Sequence, residues 1–196
     1  MKLCAAAAVA LLACTASATD NIEGNAFGNP HAPILIEVFS DFQCPGCKSF
    51  HDYELTPLMQ DFITPGKAYL IYRYYPLEAH LYGRKAAALV CGAARLGKFE
   101  AASNLLFARQ ESWSQNGKIA EILDTLFPAP EQQKLRELAQ GAACQAEIAH
   151  DVAEGKAIPV TGTPFVTVTY RTRRYPLENS LNYALIKSFL EGLEKK

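Results

Sequence analysis

The run Ile34-Leu35-Ile36-Glu37-Val38-Phe39, followed after four residues by Cys44-Pro45-Gly46-Cys47, constrains the fold more than any other stretch of the chain. A short apolar run rich in β-branched residues reads as a buried strand. From Pro45 the pattern turns helical. Phe50, Tyr53, Leu55, Leu58 and Phe62 recur at roughly helical spacing, and proline is tolerated in a first helical turn. Cys44 therefore stands at a helix N-terminus, where unpaired N–H groups and the helix dipole favour a thiolate. A lowered thiol pKa makes that sulfur a better leaving group. Two intervening residues allow Cys47 to form, or attack, a disulfide at Cys44, which is the apparatus of thiol–disulfide exchange. The same spacing also serves an inert disulfide or one half of a zinc site, and zinc needs about two further Cys or His ligands. His31, His80 and His150 have no ligand spacing, and only His51, on the helix after the motif, is placed to approach.

The rest of the chain alternates in kind. Thr64-Pro65-Gly66 ends the first helix, and Lys67 to Tyr75 alternates as a second strand closed by Pro76. Strand, helix, strand implies a parallel pair with a right-handed crossover. The patterns over Leu81 to Leu96, Phe99 to Arg109, Lys118 to Leu126, Glu131 to Ala139 and Cys144 to Ala157 predict a helical block, about residues 80–157. Val160-Thr161-Gly162-Thr163-Pro164 reads as a turn, Phe165 to Tyr170 as a strand, and Arg173 to Tyr175 as its hairpin partner. Tyr183 to Leu193 closes the chain as an amphipathic helix. The fold class is α/β, a small mixed sheet with an inserted helical subdomain, over residues 34–196.

Met1-Lys2, the apolar run Leu3 to Ala13, and Ala16-Ser17-Ala18 have the form of an export signal over residues 1–18. Leu11-Leu12-Ala13-Cys14 resembles a lipobox, which would instead end the signal at residue 13 and anchor the chain through a lipidated Cys14. Both readings export the protein. Residues 19–33 then form a polar leader. Cys44, Cys47, Cys91 and Cys144 remain, and an even number of thiols in an oxidising compartment suggests two pairs, with three connectivities open. Lys+Arg of 19 against Asp+Glu of 20 gives a net charge of −1, which excludes a broad electrostatic attraction for nucleic acid.

Ile36-Glu37-Val38-Phe39-Ser40 with Phe42-x-Cys44-Pro45-Gly46-Cys47 resembles the active-site segment of the DsbA-like thioredoxin-fold oxidoreductases, in their exported bacterial branch. Gly162-Thr163-Pro164-Phe165-Val166 is similar to that family's cis-proline loop. Arg73…Tyr75-Pro76-Leu77…His80, then Cys91 and Lys98-Phe99, fit the same branch. The resemblance implies a thioredoxin-like fold with the helical block as its insertion. It makes Cys44 the exposed nucleophile and Cys47 the buried resolving thiol, supported by Pro45 and Gly46. It implies a cis Pro164 opposite the disulfide, and Thr163 offering backbone hydrogen bonds to an extended substrate segment. Glu37, the one charge in an apolar strand, is expected to be buried and to shuttle protons for Cys47. Cys91 and Cys144 are expected to form a second, structural bridge. Gly46 stands where strongly oxidising relatives carry histidine.

The implied function is an exported, monomeric protein-disulfide oxidoreductase. It would introduce disulfides into envelope proteins with free thiols and be reoxidised by a quinone-linked membrane partner. No metal, nucleotide or flavin is implied. A reductase or isomerase of the same fold is one rival, although the leader of residues 19–33 is short for a dimerisation domain. A non-catalytic envelope binding protein on the same scaffold is another, disfavoured by retention of both Cys44 and Cys47.

Overall fold

The structure, a computed structural model, describes residues 24–177 and 182–195. The export signal of residues 1–18, Cys14 and the first residues of the leader, 19–23, lie outside the described residues. Five strands form one mixed sheet: β1 (Ala26–Gly28), β2 (Ile34–Ser40), β3 (Ala68–Tyr74), β4 (Phe165–Tyr170) and β5 (Arg173–Leu177), in the order β1-β3-β2-β4-β5. β2 and β3 run parallel, with Ile34 opposite Ala68 and Ser40 opposite Tyr74. β4 is antiparallel to β2 and to β5. The fold is the thioredoxin-like α/β arrangement.

The leader is not wholly outside the sheet. Ala26–Gly28 pairs antiparallel with β3, a strand too short to carry a period. Asn25, buried beside it, exchanges hydrogen bonds with the Tyr72 backbone through its own carbonyl and its side-chain Nδ2.

α1 (Pro45–Ser49) and α2 (Thr56–Leu58) belong to one helical stretch, widened to π-type turns at Phe50–Leu55 and Met59–Ile63. Pro57 within it has no N–H to bond the preceding turn, and a wider turn accommodates that loss. The inserted block comprises α3 (Gly83–Ala94), α4 (Phe99–Ala108), α5 (Gln110–Trp113), α6 (Ile119–Leu123), α7 (Ala129–Gln140) and α8 (Ala142–Ala157). α9 (Tyr183–Glu194) is capped by the Asn182 side chain, which accepts from the Leu185 N–H.

Strand alternation sorts the core. Ile34, Ile36 and Val38 of β2 pack with Cys47, Phe50, Leu58 and Phe62 of the first helical stretch. Phe39, on the other face, packs with Tyr75, Val160 and Phe165, beneath Val152 of α8.

Cys91 of α3 and Cys144 of α8 form a disulfide of 2.01 Å, with both residues inaccessible to solvent. The bridge closes a loop with a sequence separation of 53, worth about 4 kcal/mol in the chain-entropy account. Replacing both residues by Ala should lower the unfolding free energy by about that amount, read from the denaturant midpoint. An unchanged midpoint would remove the structural role.

Candidate active site

The site grows from the end of β2. Ser40, Asp41, Phe42 and Gln43 lead to Cys44, whose extended backbone makes it the N-cap of α1, with Pro45 in the first turn. Both cysteines are thiols, in different surroundings. Cys44 is 9% exposed, whereas Cys47, one turn into the helix, is 1% exposed.

The Cys44 sulfur lies 3.3 Å from the Thr163 carbonyl oxygen. Its pKa is lowered from 9.0 to about 5, first by a hydrogen bond from the Cys47 thiol, then by Thr163 and by the N–H groups of Cys47 and Gly46, against the opposing effect of burial. Cys47 is pushed the other way. Burial raises its pKa most, and the adjacent Cys44 sulfur adds to it. The pair thus divides into one sulfur poised as thiolate and one held as thiol.

The Thr163–Pro164 bond is cis, and this loop faces the cysteines. A β-carbon on Gly46 would stand 3.3 Å from Pro164 Cδ and 3.7 Å from the Cys44 sulfur. Gly46, Ser49, Phe50, Thr163, Pro164 and Leu177 line a groove with a volume of about 560 Å³. Pro45 and Gly46 are exposed at its edge.

The inserted block holds the approach to Cys44. The buried Asp41 carboxylate accepts from the Gln43 N–H at 2.8 Å and the Leu77 N–H at 2.9 Å, and meets His80 Nδ1 at 2.6 Å. The Asp41 N–H in turn donates to the Cys47 sulfur at 3.3 Å. Gln43 Nε2 donates to the Ser114 carbonyl, and Gln43 Oε1 accepts from the Tyr82 N–H. Gln110 Nε2 reaches both the Phe42 and Cys44 carbonyls, at 2.8 and 3.0 Å. The roles of Gln43 and Gln110 are not legible in the sequence, because their partners in the inserted block and the active-site loop are 39 to 71 positions away.

Glu37 requires a correction. It is buried, but on the sheet face opposite Ile36 and Val38, and neither cysteine is among its partners. Its carboxylate accepts from Arg73 at 3.0 and 3.1 Å, from Thr167 Oγ1 at 3.1 Å, and from Arg174. Arg73 also bonds Asp151 of α8 at 3.1 Å. This ion-pair network fastens α8 to the sheet. The period of two places Glu37 away from Cys47, so the proton-shuttle expectation is withdrawn. His51, the sole candidate for a further metal ligand, bonds Asn104 Oδ1 at 2.7 Å and packs against the Phe107 ring.

The family model described as Thioredoxin matches residues 20–191. No curated protein matches the sequence. Among solved structures, BdbD from Bacillus subtilis is 20% identical, with 89% of this chain and 95% of that chain covered at a TM-score of 0.73. Pseudomonas aeruginosa DsbA2 is 22% identical, with 88% and 95% covered at 0.68. Wolbachia pipientis alpha-DsbA1 is 20% identical, with 86% and 89% covered at 0.68. At these identities the likeness is one of fold.

Proposed function

The chain belongs to the thioredoxin family, and from that premise we propose that it is a protein-disulfide oxidoreductase, exported, which donates its Cys44–Cys47 disulfide to envelope proteins carrying free thiols. The observation that carries this reading is the pairing of a Cys44 pKa lowered to about 5 with a buried Cys47 thiol behind it. Stabilising the Cys44 thiolate stabilises the reduced pair relative to its disulfide, which makes the disulfide an oxidant.

A substrate thiolate lying along the groove attacks the Cys44 sulfur. A substrate–Cys44 bond forms, and the Cys44–Cys47 bond breaks with its electron pair on Cys47. A second substrate thiolate then attacks the substrate sulfur and expels Cys44 as thiolate. The substrate loses two electrons and the enzyme gains them. The backbone at Thr163 supports an extended substrate segment by strand addition, and Pro164 closes the groove beside the sulfur. A quinone-linked membrane partner would return the pair to its disulfide. Among the described residues no helix is long and apolar enough to cross a membrane.

Oxidative refolding of a reduced protein, run beside insulin reduction, tests the direction. Faster refolding with little insulin reduction supports the reading, and the reverse pattern makes the protein a reductase. A glutathione titration should give a potential below the roughly −120 mV of the strongest oxidant of this type, since Gly46 contributes no side chain to the thiolate. Gly46 lies outside the left-handed region, so its backbone tolerates a substitution once Pro164 gives by a few tenths of an ångström. Gly46→His places an imidazole beside the Cys44 thiolate and should raise the potential by on the order of 30 mV, a tenfold change in equilibrium constant. An unchanged or more reducing variant would defeat this account of Gly46.

A further inference from the structure

We propose that His80 is a positioning residue for disulfide exchange: it holds the Asp41 carboxylate, and through that residue the peptide N–H that meets the Cys47 sulfur as charge gathers on it. The role rests on the exchange reading above and deepens it. Each opening of the disulfide leaves an electron pair on a sulfur that is 1% exposed. Solvent has little access there, so a donor built into the fold and already aimed at the sulfur lowers the barrier.

The Asp41 N–H is such a donor, 3.3 Å from the Cys47 sulfur. Its direction is fixed from several sides. The carbonyl of the same peptide, that of Ser40, accepts from the Tyr75 N–H at 2.9 Å, and the Asp41 carbonyl accepts from the Cys44 N–H at 3.0 Å. A peptide hydrogen-bonded at its carbonyl is polarised into a stronger donor. Cys44, Ser40 and Thr163 also adjoin the Cys47 sulfur. Cys44 is the partner from which the bond is cleaved, and the Ser40 hydroxyl accepts from the Tyr72 hydroxyl at 2.6 Å. The variants below leave all three side chains in place, so they isolate the contribution of Asp41.

Asp41 is in turn held by the segment that opens the inserted block. One oxygen of its buried carboxylate takes the Leu77 N–H at 2.9 Å and His80 Nδ1 at 2.6 Å, and the other takes the Gln43 N–H at 2.8 Å. A carboxylate only accepts, so Nδ1 carries the hydrogen of its bond. The segment is itself folded back, with the His80 N–H on the Leu77 carbonyl and the Gly83 N–H on the His80 carbonyl. Gly83, the first residue of α3, closes over the carboxylate: a β-carbon there would stand 2.7 Å and 2.9 Å from its two oxygens. Removing the imidazole, or crowding the carboxylate from Gly83, lets the Asp41 peptide drift from the sulfur. The Asp41 hydrogen bond strengthens as the Cys44–Cys47 bond breaks with its electron pair on Cys47, and it transfers no proton. Departure of Cys47 and its return to a mixed disulfide share that transition state, so a drifting donor slows both and leaves attack by Cys44 alone.

The test is stopped-flow reoxidation of the reduced protein by oxidised glutathione. It separates capture of glutathione by Cys44, which is proportional to reagent, from its expulsion by Cys47, which is not. His80→Ala should keep capture within about 2-fold and slow expulsion about 10-fold, the lower end of what a hydrogen bond to a charged atom supplies. Reduction by dithiothreitol, in which Cys47 leaves, should slow by a similar factor, and the glutathione equilibrium should stay in place. A merely structural defect would not divide the two steps in this way. His80→Asn keeps a donor where Nδ1 stood and should restore expulsion, and Gly83→Ala should reproduce the split without removing any donor. Expulsion at the wild-type rate in His80→Ala, equal slowing of capture and expulsion, or no recovery in His80→Asn would each overturn the role. A wild-type protein inert to both reagents would overturn the exchange reading, and the role with it.

Discussion

Cys44→Ala should reduce thiol–disulfide exchange to the rate of buffer alone, whereas Cys47→Ala, with no internal disulfide to donate, should attack client disulfides through its Cys44 thiolate and stop at the mixed disulfide. The asymmetry follows from exposure and protonation together. Cys44, 9% exposed, lies behind the groove residues Gly46 and Thr163 with its sulfur poised as a thiolate, so of the two sulfurs it is the one a substrate reaches. Cys47 is enclosed and acts from behind, as the leaving group when the disulfide opens and, in the reverse direction, by expelling a substrate held on Cys44. Without it, mixed disulfides with clients should accumulate and be recoverable on non-reducing gels. Its loss also removes the largest contribution to the lowered Cys44 pKa. The remaining thiol should therefore titrate above pH 5, followed by ultraviolet thiolate absorbance. Trapping by the Cys44 variant, with none by the Cys47 variant, would reverse the two roles.

The reduced protein should gain stability over the oxidised one as pH rises from 4 to 9. The Cys44 pKa is depressed on folding, from 9.0 to about 5. A depressed pKa contributes stability that is absent below the folded value, grows between the two values, and is complete above the unfolded one. At pH 7 only part of the interval has been crossed, so the contribution is about 3 kcal/mol, rising to about 5 kcal/mol by pH 9. Cys47, raised by burial, stays protonated over most of this range. The disulfide has no thiolate to stabilise, and the carboxyl titrations common to both forms cancel in the difference. Denaturant midpoints of the two forms, measured every pH unit, check the prediction. A difference that stays flat between pH 5 and 9 would remove the thiolate from the energetics.

The sequence disclosed whatever depended on short-range pattern. The Ile34 to Phe39 run, the proline-led helix and the Lys67 to Tyr75 alternation each lie within one element, and the parallel pairing of β2 with β3 follows from them. β1 was hidden because three residues carry no period, and its anchor, Asn25, bonds a residue 47 positions on. Glu37 is conspicuous as a charge and is buried as expected, yet the face it occupies is what separates it from Cys47. One step along a strand reverses the side chain, and the arginines that neutralise it lie 36 and 137 positions away. Gln110 carried no local signal at all, because the carbonyls it bonds lie 68 and 66 positions away. A serine at a strand end and a tyrosine in an aromatic strand look like ordinary packing until the fold sets their hydroxyls 2.6 Å apart.

The closeness of residue 46 to Pro164 has an evolutionary consequence. Any side chain introduced there meets the proline ring at 3.3 Å and the nucleophilic sulfur at 3.7 Å. Such a mutation alters the electronic setting of the sulfur and the shape of the client-binding channel in the same stroke. Descendants of this chain cannot adjust oxidising power and client preference independently at this position. A lineage that shifts one must accept a shift in the other, or recruit compensation from the opposite wall of the channel.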